Sequence, residues 1–241
     1  MDILLLRFDA PLMSFGGVMV DQHGPTDRFP GLAMLTGLLA NALGYRHSDF
    51  ERLQALQARI HFAARWDLEP EHIIDYHTVD LGQEKMRYPG WTTRGEPEHR
   101  AGGAGAKFGT HIRYRHYWAN GIMTLALTLE GKGAPNLDEL EAALGQPARP
   151  LFLGRKTCLP AAPLLLERVQ AANVLEALCH CPIHPRAAGS GNEALAACWP
   201  VDIPGGVHAR IVSRHDQRDW CNQIHTGRRD HQEGRIERPV S

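Results

Sequence analysis

Between Lys85 and Trp118 the chain carries seven Lys/Arg side chains (Lys85, Arg87, Arg94, Arg100, Lys107, Arg113 and Arg115) against two acids, Glu96 and Glu98. Six aromatic rings are set among them: Tyr88, Trp91, Phe108, Tyr114, Tyr117 and Trp118. Cations hold phosphates and flat rings hold unstacked bases, so this mixture suits a single-stranded nucleic acid. The formal net charge of the chain is −1, so a local excess of five positive charges sits in a chain otherwise six negative. That distribution fits one dedicated anionic ligand rather than non-specific coating of DNA. On charge alone, a solvated loop fits it equally well.

The stretch from Thr110 to Trp118 sharpens the reading. In a strand, successive side chains alternate between faces. Ile112, Tyr114 and His116 then share one face, while His111, Arg113, Arg115 and Tyr117 share the other, a cationic surface with a ring in it.

Three other constellations invite chemistry and fall short of it. Gly102 to Lys107 resembles a phosphate-binding loop, but no glycine directly precedes the lysine and Phe108 stands where a hydroxyl residue is needed. A glycine hinge in a hairpin that must approach a backbone closely fits it better. Cys179, His180, Cys181 and His184 have an unusual zinc spacing and no second ligand pair, so ordinary thiols are expected and no metal or cofactor. Among 14 histidines, His77, His111 and His116 lie near the basic stripe and could move protons in RNA cleavage. No fixed spacing ties any of them to a partner, so no catalytic residue is assigned.

The elements that must position the stripe follow from apolar periodicity. Asp2 to Phe8 reads as a buried first strand, and Gln22 to Pro30 as a loop. Leu32 to Leu43 has helical spacing and stops at Gly44; a second helix is expected from Ser48, as N-cap, through Gln57. Arg59–Trp66 and Ile73–Val79 read as strands, Thr110–Leu129 as one or two strands with a kink at Gly121. A short helix opens at Asn136 and ends at Gly145, and Pro150–Gly154 returns to extended chain. The order is β-α-β-β-α-β, the arrangement of RNA-recognition domains. The expected class is therefore α+β, a ferredoxin-like (RRM-like) domain over residues 1–160 with a C-terminal region over 161–241. Beyond Leu159 the signals are a short helix at Ala171–Leu178, a strand at Val207–Ser213 and a frayed polar end from Arg228. Between the inner strands, Asp80 to Gly109 forms a long insertion that contains Gly82, Gly90, Gly95, Gly102, Gly103 and Gly105, coincident with the basic stripe. Insertions this long within a compact domain are usually functional or disordered.

At 241 residues and 43% hydrophobic, the chain can bury a substantial core. The apolar run Ile3–Leu6 is broken at Arg7 and Asp9, too short for a signal peptide, and no stretch approaches a membrane span. Five cysteines suggest no disulfide framework. A soluble, cytoplasmic protein is expected.

Several motifs taken together resemble one family. Leu4–Phe8 followed by Ala10–Gly16 is similar to the opening strand and Pro-Met-x-x-Trp-Gly turn of the CasD family, with Phe15 in the tryptophan's place. Pro25–Pro30 and Gly37–Gly44 match its loop and first helix; Asp75–Val79 precedes the insertion and Arg115–Tyr117 follows it. Leu153–Cys158 resembles its Leu-Gly-Arg-Arg-Ser-Cys run. The match covers most of residues 2–170 in order and fades through the C-terminal part. Two departures stand out: Gly24 replaces an arginine before Pro-Thr, and Gly31, Ala33 and Met34 replace a Thr-x-Ser-Gly pattern. One ligand contact near the first helix is then lost or supplied elsewhere.

The resemblance implies a β-hairpin thumb at residues 80–113 and a place in a type I-E CRISPR surveillance complex, Cascade. There the subunit would bind the 5′ handle of the CRISPR RNA, cap the backbone filament, help seat the large subunit and meet target DNA only indirectly. In this subtype another subunit cuts the precursor, so the chain is expected to bind without catalysis. A metal-independent endoribonuclease, as among CasD relatives of another subtype, is the rival; a plain assembly scaffold is the third reading. The RNA contacts expected on this basis are Ser14 and Arg28 in the early loops, Lys85, Arg87, Lys107, His111, Arg113 and Arg115 around the thumb, and Arg155 and Lys156 after the second helix.

Overall fold

The computed structural model describes residues 1–19, 21–80, 110–189 and 193–239. Its frame is a seven-stranded antiparallel sheet. β1 (Asp2–Asp9) lies between β7 (Ile122–Leu129) and β8 (Leu165–Gln170), and β4 (Ile60–Leu68) flanks β7 on its other side. The sheet continues past β4 through β9 (Ala194–Pro200), β11 (Ile224–Glu237) and β10 (Val207–Asp219).

A strand with neighbours on both edges and cover on both faces reads as a near-continuous apolar run, and β1 does from Ile3 to Leu6. Leu4, Leu6 and Phe8 enter one core with α1 (Leu32–Ala42), α2 (Phe50–Arg59) and α3 (Leu137–Gly145). Ile3 and Leu5 enter a second core on the opposite face with α4 (Val174–His180). A buried ionic knot fastens α4 there. Arg65 and Asp67 are both fully buried and 2.8 Å apart. The Arg65 guanidinium donates to the carbonyls of Leu178 and Cys181, the orphan acceptors where α4 ends. Asp67 accepts in turn from the Thr124 hydroxyl and the His184 backbone. Cys181 is therefore packed as a helix terminus, and among the described residues no three His, Cys, Asp or Glu side chains are grouped to hold a metal.

Helix ends show which local signals operate. Asn136 opens α3 with a full capping box: its side chain accepts from Glu139 N, and the Glu139 carboxylate accepts from Asn136 N, both at 2.8 Å. α2 begins after Asp49 rather than Ser48, and the Asp49 carboxylate caps no helical N–H because it accepts from Arg46 N in the preceding turn. α1 has Gly31 at its N-cap and no side chain of its own to cap it. Asp216, on β10, supplies the acceptor instead, 3.0 Å from Leu32 N.

Two expectations need correction. The fourth strand beside β1 is Leu165–Gln170, not Pro150–Gly154. Leu153 there is buried, but its backbone bonds close locally, Leu153 N to Cys158 O and Cys158 N to Arg155 O, so the run turns instead of pairing. The end of the chain is not frayed from Arg228: β11 runs to Glu237, pairing β10 on one edge and β9 on the other. The large sheet continues across residue 160, since β8 and β9 both pair with strands of the N-terminal part. Among the described residues no helix is long and apolar enough to cross a membrane.

Candidate nucleic-acid interface

A second, smaller sheet carries the described end of the basic stripe, Thr110–Trp118. β5 (Glu71–Asp80) and β6 (Thr110–Ala119) pair antiparallel along their full length, from Glu71 opposite Ala119 to Asp80 opposite Thr110. The expected thumb between them, with Lys85, Arg87 and Lys107, lies outside the described residues; for His111 only the backbone is described. The other edge of β6 takes two short strands, β2 (Leu12–Met13) antiparallel and β3 (His23–Gly24) parallel. Thr110–Leu129 is thus two strands that leave for different sheets, and the corner is Asn120–Gly121. Asn120 has φ +58°, and a β-carbon on Gly121 would stand 2.7 Å from both Trp66 and Pro70.

β6 divides its side chains as alternation requires. Tyr114, His116 and Trp118 face one way, opposite Tyr76, Ile74 and His72 of β5. The other face is less of an open cationic surface than the spacing suggests. Tyr117 is 4% exposed, and the Arg155 guanidinium lies 4.7 Å over its ring. Arg113 donates to the Asp21 carbonyl at 3.3 Å. Arg115 is exposed, with no partner among the described residues.

The early-loop residues fasten this stem. Ser14 is buried, and its hydroxyl donates to the His116 carbonyl at 3.3 Å. Arg155 donates to the same carbonyl at 3.0 Å and to the Gly24 carbonyl at 2.8 Å. Those bonds leave little of its guanidinium for a phosphate and make it a clamp between β3 and β6. Lys156, the next residue, is exposed and without a partner among the described residues. Arg28 forms an ion pair with Glu69 at 2.6 Å, so its charge is already matched.

Beside the stem, a cleft of about 1090 Å³ opens between the loop from Ser14 to Met19, α1 and the β10–β11 ribbon. Arg46 and His47 stand exposed on its wall, with Arg155 and Arg214 deeper. Arg214 is tied down at 2.7 Å to Glu233 and 2.8 Å to the Phe29 carbonyl. Asp27 also lines it; burial foremost, with the nearby Asp216 and Glu233, raises its carboxyl pKa despite the Arg214 charge. Arg46, Arg149 and Arg214 were not singled out from the sequence: the first two follow turns with no motif, and Arg214 sits on a strand too polar to stand out.

The histidines near the stem form contacts that spacing did not reveal. His116 Nδ1 is 3.0 Å from His72 Nε2, while His116 Nε2 is occluded and unpartnered. Burial first, then His72, His23 and Arg155, lowers the His116 pKa and favours its neutral form. His77 pairs with Asp75 at 2.5 Å on the other face, opposite Arg113 and Arg115.

The sequence matches the family described as CRISPR-associated protein (Cas_Cas5) across residues 3–232. It is 32% identical over 183 residues to the CRISPR system Cascade subunit CasD of Escherichia coli (strain K12), covering 73% of this chain and 75% of that one. Two solved structures share the fold. One, titled CRISPR RNA-guided surveillance complex, superposes with a TM-score of 0.66 at 23% identity over 99% of this chain and 90% of its own. The other, titled Crystal structure of Cas protein, gives 0.60 at 22% identity over 98% and 95%. The chain belongs to the CRISPR-associated Cas5 family, in which its sequence stands with CasD.

Proposed function

We propose that this chain is a non-catalytic Cascade subunit that holds the 5′ handle of the CRISPR RNA on the β5–β6 stem and the adjoining cleft. One observation carries the reading: the cations left unmatched cluster where an RNA strand would cross the stem. Arg115 is exposed on β6, and Gly24 beside it is bonded to Arg155, whose neighbour Lys156 is exposed too. Phosphates need such uncommitted charges, whereas Arg28 and Arg155 are already engaged. The order β8-β1-β7-β4, with α1–α3 on one face, supports the ferredoxin-like reading of the frame. On the same reading, the thumb and its basic residues continue the site, and the backbone and large subunits of the complex are its protein partners. Base pairing by the guide reads the target DNA, while this subunit reads RNA backbone and shape.

The rival, an endoribonuclease, would draw on the Asp75–His77 pair, the one carboxylate–imidazole contact of the stem among the described residues. Incubating the full chain with CRISPR repeat RNA, with and without magnesium, separates the readings. Bound, intact RNA is expected. Cleavage within the repeat that is lost in His77→Ala would replace the proposal with the ribonuclease, and RNA left unbound would leave a scaffold.

A further inference from the structure

The open face of the stem carries a continuous series of ring contacts. It is rooted in the core, where Trp118 meets Trp66 edge-on at 6.4 Å and its indole N–H donates to the Asp27 carbonyl at 2.7 Å. From Trp118 the contacts pass to His72 at 5.2 Å, to His116 at 5.0 Å, to His23 at 5.9 Å, to Tyr114 at 4.8 Å and to Tyr76 at 5.5 Å. The series uses three strands: His72 and Tyr76 from β5, His116 and Tyr114 from β6, and His23 from β3. It runs from the body of the domain toward the end of the stem where the basic insertion begins.

We infer that this ring series is a stacking platform for unpaired bases of single-stranded RNA, which rests on the RNA-binding reading above. Three observations carry it. Tyr76, the outermost ring, is 54% exposed, and His72 and His23 are exposed as well, so ring faces stand open to solvent. One pair is already stacked, His23 lying nearly parallel to Tyr114 at 13°, and the other rings of the stem meet at tilts of 34° to 58°. The ligand then meets surfaces whose ordering cost has been met by the fold. Their edges are imidazole nitrogens and phenol hydroxyls, which suit polar-edged bases, and these rings outnumber the aliphatic Ile74, 53% exposed on the same face. The cations Arg113 and Arg115 leave the same strand on the opposite face, so a strand of RNA draped over the stem edge places phosphates and bases on different sides.

The test is binding of the full chain to two short single-stranded RNAs of equal length, one of repeat sequence and one abasic at every position. Tyr76→Ala and His72→Ala alter exposed side chains and leave the folded spectrum unchanged. Each is expected to weaken the intact RNA about five- to hundredfold and leave the abasic RNA unchanged; Tyr76→Phe, which keeps the ring, restores binding. Equal losses on both RNAs, or none on either, would overturn the stacking assignment while leaving the handle-binding reading in place. A wild-type chain that fails to bind the intact RNA removes that reading, and this one with it.

Discussion

Gly154 lies so close over the carbonyl of Ser14 that a β-carbon built on it would stand 1.6 Å from that oxygen. The glycine also has φ +98°, a conformation that side chains resist. Ser14 N donates to the Leu153 carbonyl at 3.1 Å, so the turn after α3 and the loop after β1 are locked face to face. Arg155 leaves that lock directly and reaches the carbonyls of β3 and β6. The Gly-Arg pair in the Leu153–Cys158 motif is thus a hinge pin followed by a clamp, and the clamp sets how the stem stands on the body.

Gly154→Ala should therefore cost about 3 kcal/mol or more, since both the backbone angle and the Ser14 carbonyl must give way. Urea unfolding of the full chain measures it. A loss below about 1 kcal/mol, the ordinary cost of a strained angle alone, would show that the contact relaxes without consequence.

Salt dependence separates the cations by what already holds them. Arg115→Ala and Lys156→Ala should each flatten the slope of log affinity for single-stranded RNA against log salt by about 0.7, one phosphate contact apiece. Arg113→Ala combined with Arg115→Ala should remove up to about two. Arg28→Ala should change the slope little, because Glu69 at 2.6 Å already balances that charge. An Arg115 variant with the wild-type slope would take β6 out of the RNA interface.

Asp216 couples the two ends of the chain. It caps α1 through Leu32 N and is held by Arg229 at 2.6 Å, so the β10–β11 ribbon completes a helix more than 180 residues away in sequence. Asp216→Ala should cost about 1–2 kcal/mol, the usual worth of a cap with a charged partner. Asp216→Asn keeps an acceptor for Leu32 and should recover part of it. If thermal melting shows both variants at the wild-type midpoint, α1 does not depend on the ribbon.

What the sequence revealed follows from where each signal is local. β1 was legible because burial on two faces leaves an unbroken apolar run, and α3 because Asn136 and Glu139 write its cap within four residues. The division of β6 into two faces came from period two alone. Of the ribbon only Val207–Ser213, the first half of β10, was legible, because the rest of β10 and β11 is made mostly of Arg, Asp, His and Gln. Cross-strand pairs such as Ser213 with Asp230 and Arg214 with Glu233 hold them, and no hydropathy pattern records those pairs. Ser14 and Arg155 were legible as polar groups of the two loops, while their partners were not. Their types suit a phosphate, but their bonds go to backbone carbonyls, and only three-dimensional neighbours decide that. The ring series was legible in part: Tyr114 and Trp118 stood out, while His23 joins them through a strand of two residues.

The ribbon's ion cluster should also set the acid limit of the fold. Burial pushes the Glu233 carboxyl up, but the hydrogen bond with His231 at 3.0 Å and the charge of Arg214 outweigh it and hold its pKa at about 2. In the unfolded chain a glutamate takes up its proton near pH 4.3. Between those values the unfolded state binds more protons than the folded one, so stability falls as pH falls. The contribution of Glu233 is complete above about pH 4.5 and is lost progressively as pH drops toward 2. Glu233→Gln should be less stable than wild type at pH 7, because Arg214 and His231 lose their charged partner in a buried site. The difference should then shrink as pH is lowered from about 4.5, since protonated wild type comes to resemble the amide. Urea midpoints of both proteins between pH 7 and pH 3 show this as two converging curves. Curves that stay parallel throughout would mean that Glu233 titrates alike in the folded and unfolded chain, and that its partners do not hold it ionised.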